Sequence, residues 1–464
     1  MLRLQGPQAE CLWDEVLPAE VRELPEDLAR IDRLLGDPAL LEPIAEHWRS
    51  EALERGRDAS AHGRPTIPMS SYVRLMVVKH RSGWGYEALL KEVSDSLHLR
   101  RFCLLAIDAR VPDESTVRKL TRRLGPETVA QIIRAVIAKA ARERRFSPRA
   151  ARIDSTVIEA DVRYPSDAML ALQGARALAR QGRRLTQRLD RPTRAVRDRS
   201  RAIGRRARQI SRTIGRRSGG ARLQVIELNR QAGELLRSSA REARRLAGVA
   251  RSAARGRGAR AKLRAAEAIE ELAKRCERVA EQTLRRAKGL KITGRIVSLS
   301  DPDARPIRKG KAGKPTEFGY VAQICELTPS TKPGARGLIV PAATAPGNPD
   351  ENTLLPETVA EIEALGLRPR ELALDGGFGH LKSDQQLASL EPERVFVSGR
   401  RESGSGRTKR RLRRYRTGTE GRISHLKRSY GLKRSRLKGH QGQQIWTGWG
   451  LLAYDLDTLA VWEP

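Results

Sequence analysis

The sequence predicts an α/β protein that also carries an all-α N-terminal region and a long, basic helical insertion. Short stretches typical of β-strands alternate with helical stretches over residues 291–400, which predicts a sheet covered by helices. Residues 1–146 and 166–290 instead repeat apolar side chains at helical spacing. Because 464 residues are too many for one simple core, we expect two or three domains.

The chain is strongly basic. It holds 90 Lys and Arg against 55 Asp and Glu, a formal net charge of +35, and its isoelectric point is near 11.1. This balance predicts a polyanionic partner, for which nucleic acid is the leading interpretation. An anionic membrane surface is the competing one, but no apolar run reaches the ~18 residues that a membrane-spanning helix needs.

Cysteine usage and the N-terminal stretch predict the compartment. The four cysteines are scattered without a C-x-x-C pair, so we expect neither disulfides nor a zinc site. The first residues, "MLRLQGPQAECLWDE", lack the apolar segment of a signal peptide. We therefore expect a reducing, cytoplasmic compartment, and association with the nucleoid if the polyanionic partner is DNA. The cysteines are Cys11, Cys103, Cys276 and Cys325.

The N-terminal region divides into two predicted segments. Residues 1–62 form a helical segment in which "PEDLARIDRLLGDPALLEPIAEHW" predicts two short helices. Residues 63–146 predict a helical DNA-binding domain, because short helices joined by tight turns are typical of helix-turn-helix-like proteins. An ordinary helical bundle with a basic face remains the alternative. The basic face consists of Arg118, Lys119, Arg122 and Arg123.

Residues 166–290 concentrate the positive charge. They contain 34 Lys and Arg against 11 Asp and Glu, a net charge of +23, and no Phe, Trp or Tyr. Breaks at "LDRPTR", "RRSGGARL" and "RGRGAR" divide the segment into three or four long helices, which suggests a hairpin or coiled-coil-like arm. A disordered basic tract is the alternative. The charge predicts contact with phosphate backbones.

Two aspartates lie in or next to predicted strands. Asp154 sits within "ARIDSTVIEAD", where a half-buried carboxylate is costly unless it is paired. Asp375 closes "RELALD" just before "GGFG", the strand end at which α/β sheets present their chemistry. Other strands are predicted at "EFGYVAQICEL", "GLIVPA" and "RVFVSG", with helices at "DENTLLPETVAEIEAL" and around "LKSDQQLASL".

A third carboxylate lies on a predicted helix in residues 401–464. Glu420 shares roughly one helix face with Arg416 and Lys427. Carboxylates clustered in a positive field can hold divalent metal, and two Mg²⁺ ions stabilise both the entering and the leaving oxygen of a phosphodiester under attack. Taken singly, each acid is more often a capped or edge residue or half of a surface ion pair.

Four stretches carry a family resemblance: "RIDSTVIEADVRYPSDAML", "DPDARPIRKGKAGKPTEFGYVAQ", "ELALDGGFGH" and "YRTGTEGRISHLKRSYGLKRSRLKGHQG". Through them the chain resembles bacterial insertion-sequence transposases of the DDE type, nearest to the ISNCY and related cut-and-paste groups. The last stretch holds R-x3-E-x6-K as Arg416, Glu420 and Lys427. Related families place a Tyr three residues before the Arg, where this chain has Arg413, with Tyr415 close by.

The resemblance implies an RNase H-like catalytic domain, a mixed sheet flanked by helices, formed by residues 147–165 plus 291–464 and interrupted by the insertion at 166–290. It also implies catalysis of DNA strand cleavage and strand transfer with Mg²⁺, for which Mn²⁺ is a possible substitute. The implied metal ligands are Asp154, Asp375 and Glu420, and the implied DNA-binding residues of the motif helix are Arg413, Arg416 and Lys427.

The implied partner is double-stranded DNA, as element ends and target, bound by a homodimer or larger assembly. No G-x-x-x-x-G-K-[ST] motif appears, so we expect no ATP use. Two alternatives stay open. One is a metal-dependent DNA nuclease without strand transfer, and the other is a non-catalytic DNA-binding protein such as a repressor or a domesticated transposase.

Overall fold

The computed structural model divides the chain into two compact units. The sheet unit comprises Met1–Asp161 and Tyr320–Pro464, and the helical unit comprises Val162–Gly319. The helical unit therefore includes the predicted insertion and some chain on either side of it. The structure describes residues 1–6, 15–56, 65–189, 192–216, 219–256, 258–308, 316–400 and 406–462.

The sheet unit begins with helices. The long N-terminal helix at residues 69–82 is almost entirely buried and ends at Gly83, which takes the left-handed conformation (φ 70°) that glycine adopts without strain. Gly125 (φ 72°) and Pro126 kink the last of these helices. The helices are α1 (Ala19–Arg22), α2 (Glu26–Leu35), α3 (Glu42–Glu54), α4 (Met69–Ser82), α5 (Tyr86–Asp95), α6 (Leu97–Phe102) and α7 (Glu114–Arg142), with a 3₁₀ turn at Pro38–Leu41.

A mixed sheet follows, which confirms the predicted α/β class. The backbone N–H of Arg149 donates to the carbonyl of Thr328, so the start of the first strand lies against the end of the third. The sixth strand runs parallel to the first on its other side, and the seventh runs parallel to the sixth. The strands are β1 (Ala150–Ala160), β2 (Arg305–Ile307), β3 (Glu317–Thr328), β4 (Leu338–Ile339), β5 (Ala343–Pro346), β6 (Glu371–Leu374), β7 (Arg394–Val397) and β8 (Arg434–Ser435).

Shorter strands extend the edges of this sheet. Both β4 and β5 pair antiparallel with β3, and β8 pairs parallel with the end of β1. Helices pack against the sheet, and the C-terminal one is largely buried, with Trp449 and Tyr454 fully inside the core. These helices are α12 (Glu351–Ala364), α13 (His380–Leu387), α14 (Gly406–Ser429) and α15 (His440–Trp462), with a 3₁₀ turn at Ala388–Leu390.

The helical unit holds four helices in its described residues, α8 (Asp167–Thr186), α9 (Ser200–Thr213), α10 (Gly219–Ser252) and α11 (Ala259–Ala287). Its core contains Leu, Ile, Val and many Ala side chains. Small residues let the helices approach closely, since a Cβ added at Gly233 would lie 1.8 Å from the Thr283 hydroxyl oxygen. Close backbone packing thus replaces the aromatic residues that this segment lacks.

The predicted strands and helices are confirmed, and the structure adds three short strands. The predicted strands correspond to β1, β3, β4, β6 and β7, whereas β2, β5 and β8 are missing from the prediction. The antiparallel partner of β2 is the first part of β3, within the helical unit. The long helices of the insertion are confirmed over the described residues. Parts of the predicted breaks (190–191, 217–218 and 257) and of two basic stretches (309–315 and 401–405) lie outside the described residues.

Among the described residues, no helix combines the length and the apolar character needed to cross a membrane. Three of the cysteines, Cys103, Cys276 and Cys325, are buried free thiols. Cys11 lies outside the described residues.

The close approach at Gly233 predicts an unfolding defect. Gly233→Ala should destabilise the helical unit by about 1–3 kcal/mol, because the new methyl group forces α10 and α11 apart. Gly248→Ala on the same helix is the matched control, since no atom lies within 4 Å of its added Cβ, and we expect it to be neutral or stabilising by up to about 1 kcal/mol. Circular dichroism during urea unfolding measures both. Equal stability of the two variants would contradict the packing.

A buried lysine lies in the core of the sheet unit. Lys79 is 1% exposed, its Nζ lies 4.1 Å from the Trp446 ring centroid and 4.9 Å from that of Tyr86, and no described group accepts a hydrogen bond from it. Burial, aided by the charge of Arg436, lowers the pKa of Lys79 to about 7. The neighbouring His80 stays neutral in this range because burial holds its pKa well below the usual value.

Lys79 should make stability depend on pH. Between about pH 7 and 10.5 the unfolded chain binds the lysine proton and the folded chain does not, so unfolding free energy rises with pH by up to about 1.4 kcal/mol per unit. The unfolding free energy of the Lys79→Met variant should not rise with pH in this way. The variant should therefore be more stable than the unaltered protein at pH 7, and this difference should shrink toward pH 10. Tryptophan fluorescence measures unfolding of the sheet unit selectively, since every Trp among the described residues lies in that unit. The same pH dependence of the unfolding free energy in the variant and the unaltered protein would contradict the lowered pKa of Lys79.

Candidate active site

Sheet register brings the two predicted aspartates together. In the parallel pair of β1 and β6, Ile153 lies opposite Leu374. Asp154 is the next residue of β1, and Asp375 directly follows the end of β6, so the two are neighbours across strands spaced about 4.8 Å apart. Asp154 is half-buried, and its Oδ1 accepts a hydrogen bond of 2.7 Å from the Ser155 N–H. The sheet register thus places the two aspartates next to each other.

An arginine links the third acid to them. The Arg416 guanidinium donates to Asp375 Oδ1 at 2.8 Å and to Glu420 Oε1 at 3.1 Å. Within the described part of the chain, the second oxygen of each carboxylate has no hydrogen-bond partner. The side chains of Asp375 and Glu420 are 44% and 63% exposed. Arg416 therefore joins the two acids without using up their capacity to bind a cation.

The motif residues form one stripe along α14. Arg413, Arg416, Glu420 and Lys427 are separated by three, four and seven residues, which places them on the same helix face. Arg413 is exposed, and Lys427 is half-buried. The stripe runs past the acids and presents positive charge on either side of Glu420 along the helix.

The opposite side of α14 is fastened to the strands. Arg411 forms a two-pronged ion pair with Glu371 at the start of β6, with distances of 2.5 and 2.6 Å, and this pair lowers the pKa of Glu371. The buried Tyr415 hydroxyl hydrogen-bonds to the Thr328 hydroxyl at 2.6 Å. Tyr415 therefore faces the sheet, and its position next to Arg413 reflects packing of the helix.

A buried carboxylate beneath the candidate acids connects several segments of the chain through hydrogen bonds. Glu326 on β3 is fully buried and accepts from Arg152 Nε at 2.8 Å and from Arg422 Nε at 2.9 Å. The Gly337 N–H and the Tyr454 hydroxyl also donate to it, at 2.9 and 3.4 Å. Arg152 precedes Asp154 by two residues and Arg422 follows Glu420 by two. Glu326 thus connects the segments that carry two of the candidate acids.

A glycine allows this helix to approach β1. A Cβ added at Gly418 would lie 2.2 Å from Arg152 Nη1, so any other residue there would force the Arg152 guanidinium to move. The same guanidinium donates to the backbone carbonyl of Tyr415 at 3.2 Å. Gly418 therefore lets α14 lie directly over Arg152, with Glu420 half a turn further on.

Sequence reasoning missed Arg152, Glu326, Arg411 and Arg422. A signal existed for two of them, because Arg152 and Glu326 interrupt otherwise apolar strands just as Asp154 does. The partners of such residues are distant in sequence, however, and neither helical nor strand periodicity identifies them.

The candidate acids do not form a closed metal cluster. Among the described residues, no group of three or more His, Cys, Asp or Glu side chains is arranged to hold a metal ion. The guanidinium of Arg416 lies between Asp375 and Glu420 and forms an ion pair with each of them. The arrangement therefore presents two neighbouring carboxylates and a third that reaches them through an arginine.

The four basic residues predicted on α7 differ in their surroundings. Arg118 pairs with Glu114 at 2.6 Å, and Arg123 pairs with Glu51 at 2.5 Å while stacking on the Trp48 ring. Lys119 and Arg122 are exposed and form no ion pair with any described residue. Two of the four predicted DNA contacts are thus already engaged within the protein.

Residues 21–123 match the family model described as "Transposase domain (DUF772)". This match supports a transposase family. It covers α2 to α6 and the part of α7 that precedes the Gly125 kink, and it ends before the candidate acids. A transposase domain implies DNA binding in general. No curated protein and no solved structure matches the chain.

The buried ion cluster predicts a large stability loss. Glu326→Gln should destabilise the sheet unit by about 3–5 kcal/mol, because it leaves the guanidinium groups of Arg152 and Arg422 buried without a countercharge. Glu26→Gln removes an exposed partner of Arg30 and should change stability by at most about 0.5 kcal/mol. Urea unfolding followed by tryptophan fluorescence compares them. A small loss for Glu326→Gln would show that the cluster is dispensable.

Proposed function

We propose that the protein is a DDE transposase that binds the ends of its own insertion sequence and catalyses metal-dependent strand cleavage and strand transfer. The observation that carries the proposal is the register of β1 and β6, which makes Asp154 and Asp375 neighbours, together with the link from Asp375 through Arg416 to Glu420. The match to a transposase domain independently supports the coarser statement that the protein is a transposase.

The sheet supports an RNase H-like catalytic domain. A long strand carries the first acid, an antiparallel extension lies on one side of it, and two parallel strands, β6 and β7, lie on the other. A helix that carries the third acid then crosses these strands, as α14 does. In this proposal the domain includes β1 and the chain after the insertion.

The donor set fits Mg²⁺, with Mn²⁺ as a substitute. Magnesium prefers a few carboxylate oxygens and keeps several waters. The side chains of Asp375 and Glu420 are 44% and 63% exposed, and the strand register makes Asp375 a neighbour of Asp154. When bound, the metal supplies an activated water or hydroxyl nucleophile and stabilises charge on the phosphate. We propose Asp154, Asp375 and Glu420 as its ligands.

The remaining motif residues bind and orient DNA. Arg416 already donates to two acids, and its fork geometry suits a phosphate equally well, so it can turn to the scissile strand when DNA binds. Arg413 and Lys427 extend the positive stripe along the same helix face. Cleavage frees a 3′-hydroxyl, which attacks target DNA in a second displacement. Joining two element ends to one target requires a homodimer or larger assembly.

Loss of the first acid should abolish cleavage and leave DNA binding intact. Asp154→Asn keeps the side-chain shape but removes its charge, so we expect cleavage of a duplex carrying the gene's flanking DNA to fall by more than about a hundredfold. A gel assay with and without Mg²⁺ measures nicking, and a filter-binding assay measures affinity for the same duplex.

Glu159→Gln is the matched control for Asp154→Asn. Glu159 lies on the same strand and pairs with Arg434 at 3.1 Å, away from the candidate acids in the strand register, so its variant should cleave normally. Full cleavage by Asp154→Asn would refute the assignment of the site. Binding without cleavage by the unaltered protein, under Mg²⁺ or Mn²⁺, would instead favour a non-catalytic DNA-binding protein.

A further inference from the structure

The helix α9 exposes a stripe of arginines. Arg201, Arg205, Arg208 and Arg212 follow one another at spacings of four, three and four residues, so they lie on one helix face. All four are exposed, and α9 contains no Asp or Glu. The opposite face is buried through Ile203, Gly204, Ala207, Ile210 and Thr213. One side of the helix therefore packs into the unit, and the other presents only charge and polar groups.

The arginines of this stripe form no ion pair or hydrogen bond with any described residue. Four of the arginines on the neighbouring helix α10 are engaged instead. Arg230 pairs with Glu227 at 2.7 Å and also with Glu234, and Arg237 pairs with Glu281 at 2.9 Å. Two further pairs on α10 follow the same pattern: Arg244 with Glu277 at 3.4 Å, and Arg251 with Glu270.

We propose that the α9 stripe is a docking surface for the phosphate backbone of duplex DNA, used by the protein in addition to its catalytic site. This inference rests on the proposed function, because DNA is the substrate there. Unpaired arginines at regular spacing are the groups that release counterions when they neutralise phosphates, whereas arginines already paired with Glu contribute little to such binding.

The dimensions of the stripe fit a DNA strand. Eleven residues of α-helix span about 16.5 Å, and one strand of the duplex carries a phosphate about every 3.4 Å along the axis, or about five phosphates over that length. Four arginines therefore face a similar number of phosphates.

An anionic membrane surface fits this face poorly. Membrane-bound amphipathic helices insert an apolar face, and the apolar face of α9 is already buried in the core of the helical unit. The stripe itself carries no aromatic or aliphatic side chain that could enter a lipid interface. The observations thus favour DNA as the partner.

The test compares two quadruple variants of the full chain. The stripe variant is Arg201→Ala, Arg205→Ala, Arg208→Ala and Arg212→Ala. The control variant is Arg230→Ala, Arg237→Ala, Arg244→Ala and Arg251→Ala, which removes the same number of charges from the same unit but takes them from ion pairs. Affinity for a short duplex of arbitrary sequence is measured at several salt concentrations, and circular dichroism verifies that both variants retain their helices.

We expect the stripe variant to bind DNA more than tenfold more weakly than the control at low salt. If all four arginines contact phosphates, the slope of log affinity against log salt should fall by about 3.6 in magnitude. Equal affinities and slopes for the two variants would overturn the inference and leave the proposed function standing. Absence of DNA binding by the unaltered chain would overturn both. Weaker binding of anionic vesicles without any change toward DNA would point to a membrane partner and overturn the inference.

Discussion

The carboxylate of Glu326 is the constraint on which the candidate active site depends. It lies in a region without solvent, where one charge must be matched by others or the desolvation penalty is unrecovered. Arg152 and Arg422 supply those charges from β1 and α14, and Tyr454 adds a hydrogen bond from α15. This one carboxylate therefore fixes the relative positions of β3, β1, α14 and α15. Because Asp154 lies on β1 and Glu420 on α14, the positions of these two acids are fixed as well.

The same interaction fixes which way Asp154 faces. Side chains alternate along a strand, so Arg152 and Asp154 point to one face of β1. A slip of one residue in the pairing of β1 would turn both to the other face, separating Arg152 from Glu326 and Asp154 from Asp375 at once. The energetic penalty of unpairing Arg152 therefore protects the register that brings the two aspartates together. The ion pair of Arg152 and Glu326 thus maintains the geometry of Asp154 and Asp375, although neither member of the pair is itself a proposed metal ligand.

The sequence predicted the acids more readily than their supports. Asp154 and Asp375 are conspicuous because they interrupt or end apolar strands, and Glu420 because it lies in a basic helix. Glu326 also interrupts an apolar strand, but its partners are 174 and 96 residues away, so no local pattern pairs them. The strands β2, β5 and β8 (RPI, ATAP and RS) contain no run of large aliphatic or aromatic residues, unlike the equally short β4, β6 and β7, which were predicted. Long helices and strands were predictable because their periodicity repeats.

Net charge alone does not locate a binding surface, because arginine serves two purposes in this chain. On α10 and α7 several arginines are held by nearby glutamates, and such pairs support the helices more than they attract a polyanion. On α9 there is no acid to hold them. The net charge of +23 in the insertion is therefore not all available for DNA binding. Only the arginines without an internal ion pair can exchange their small counterions for phosphates. Composition gives the total, and only the fold separates the paired arginines from the free ones.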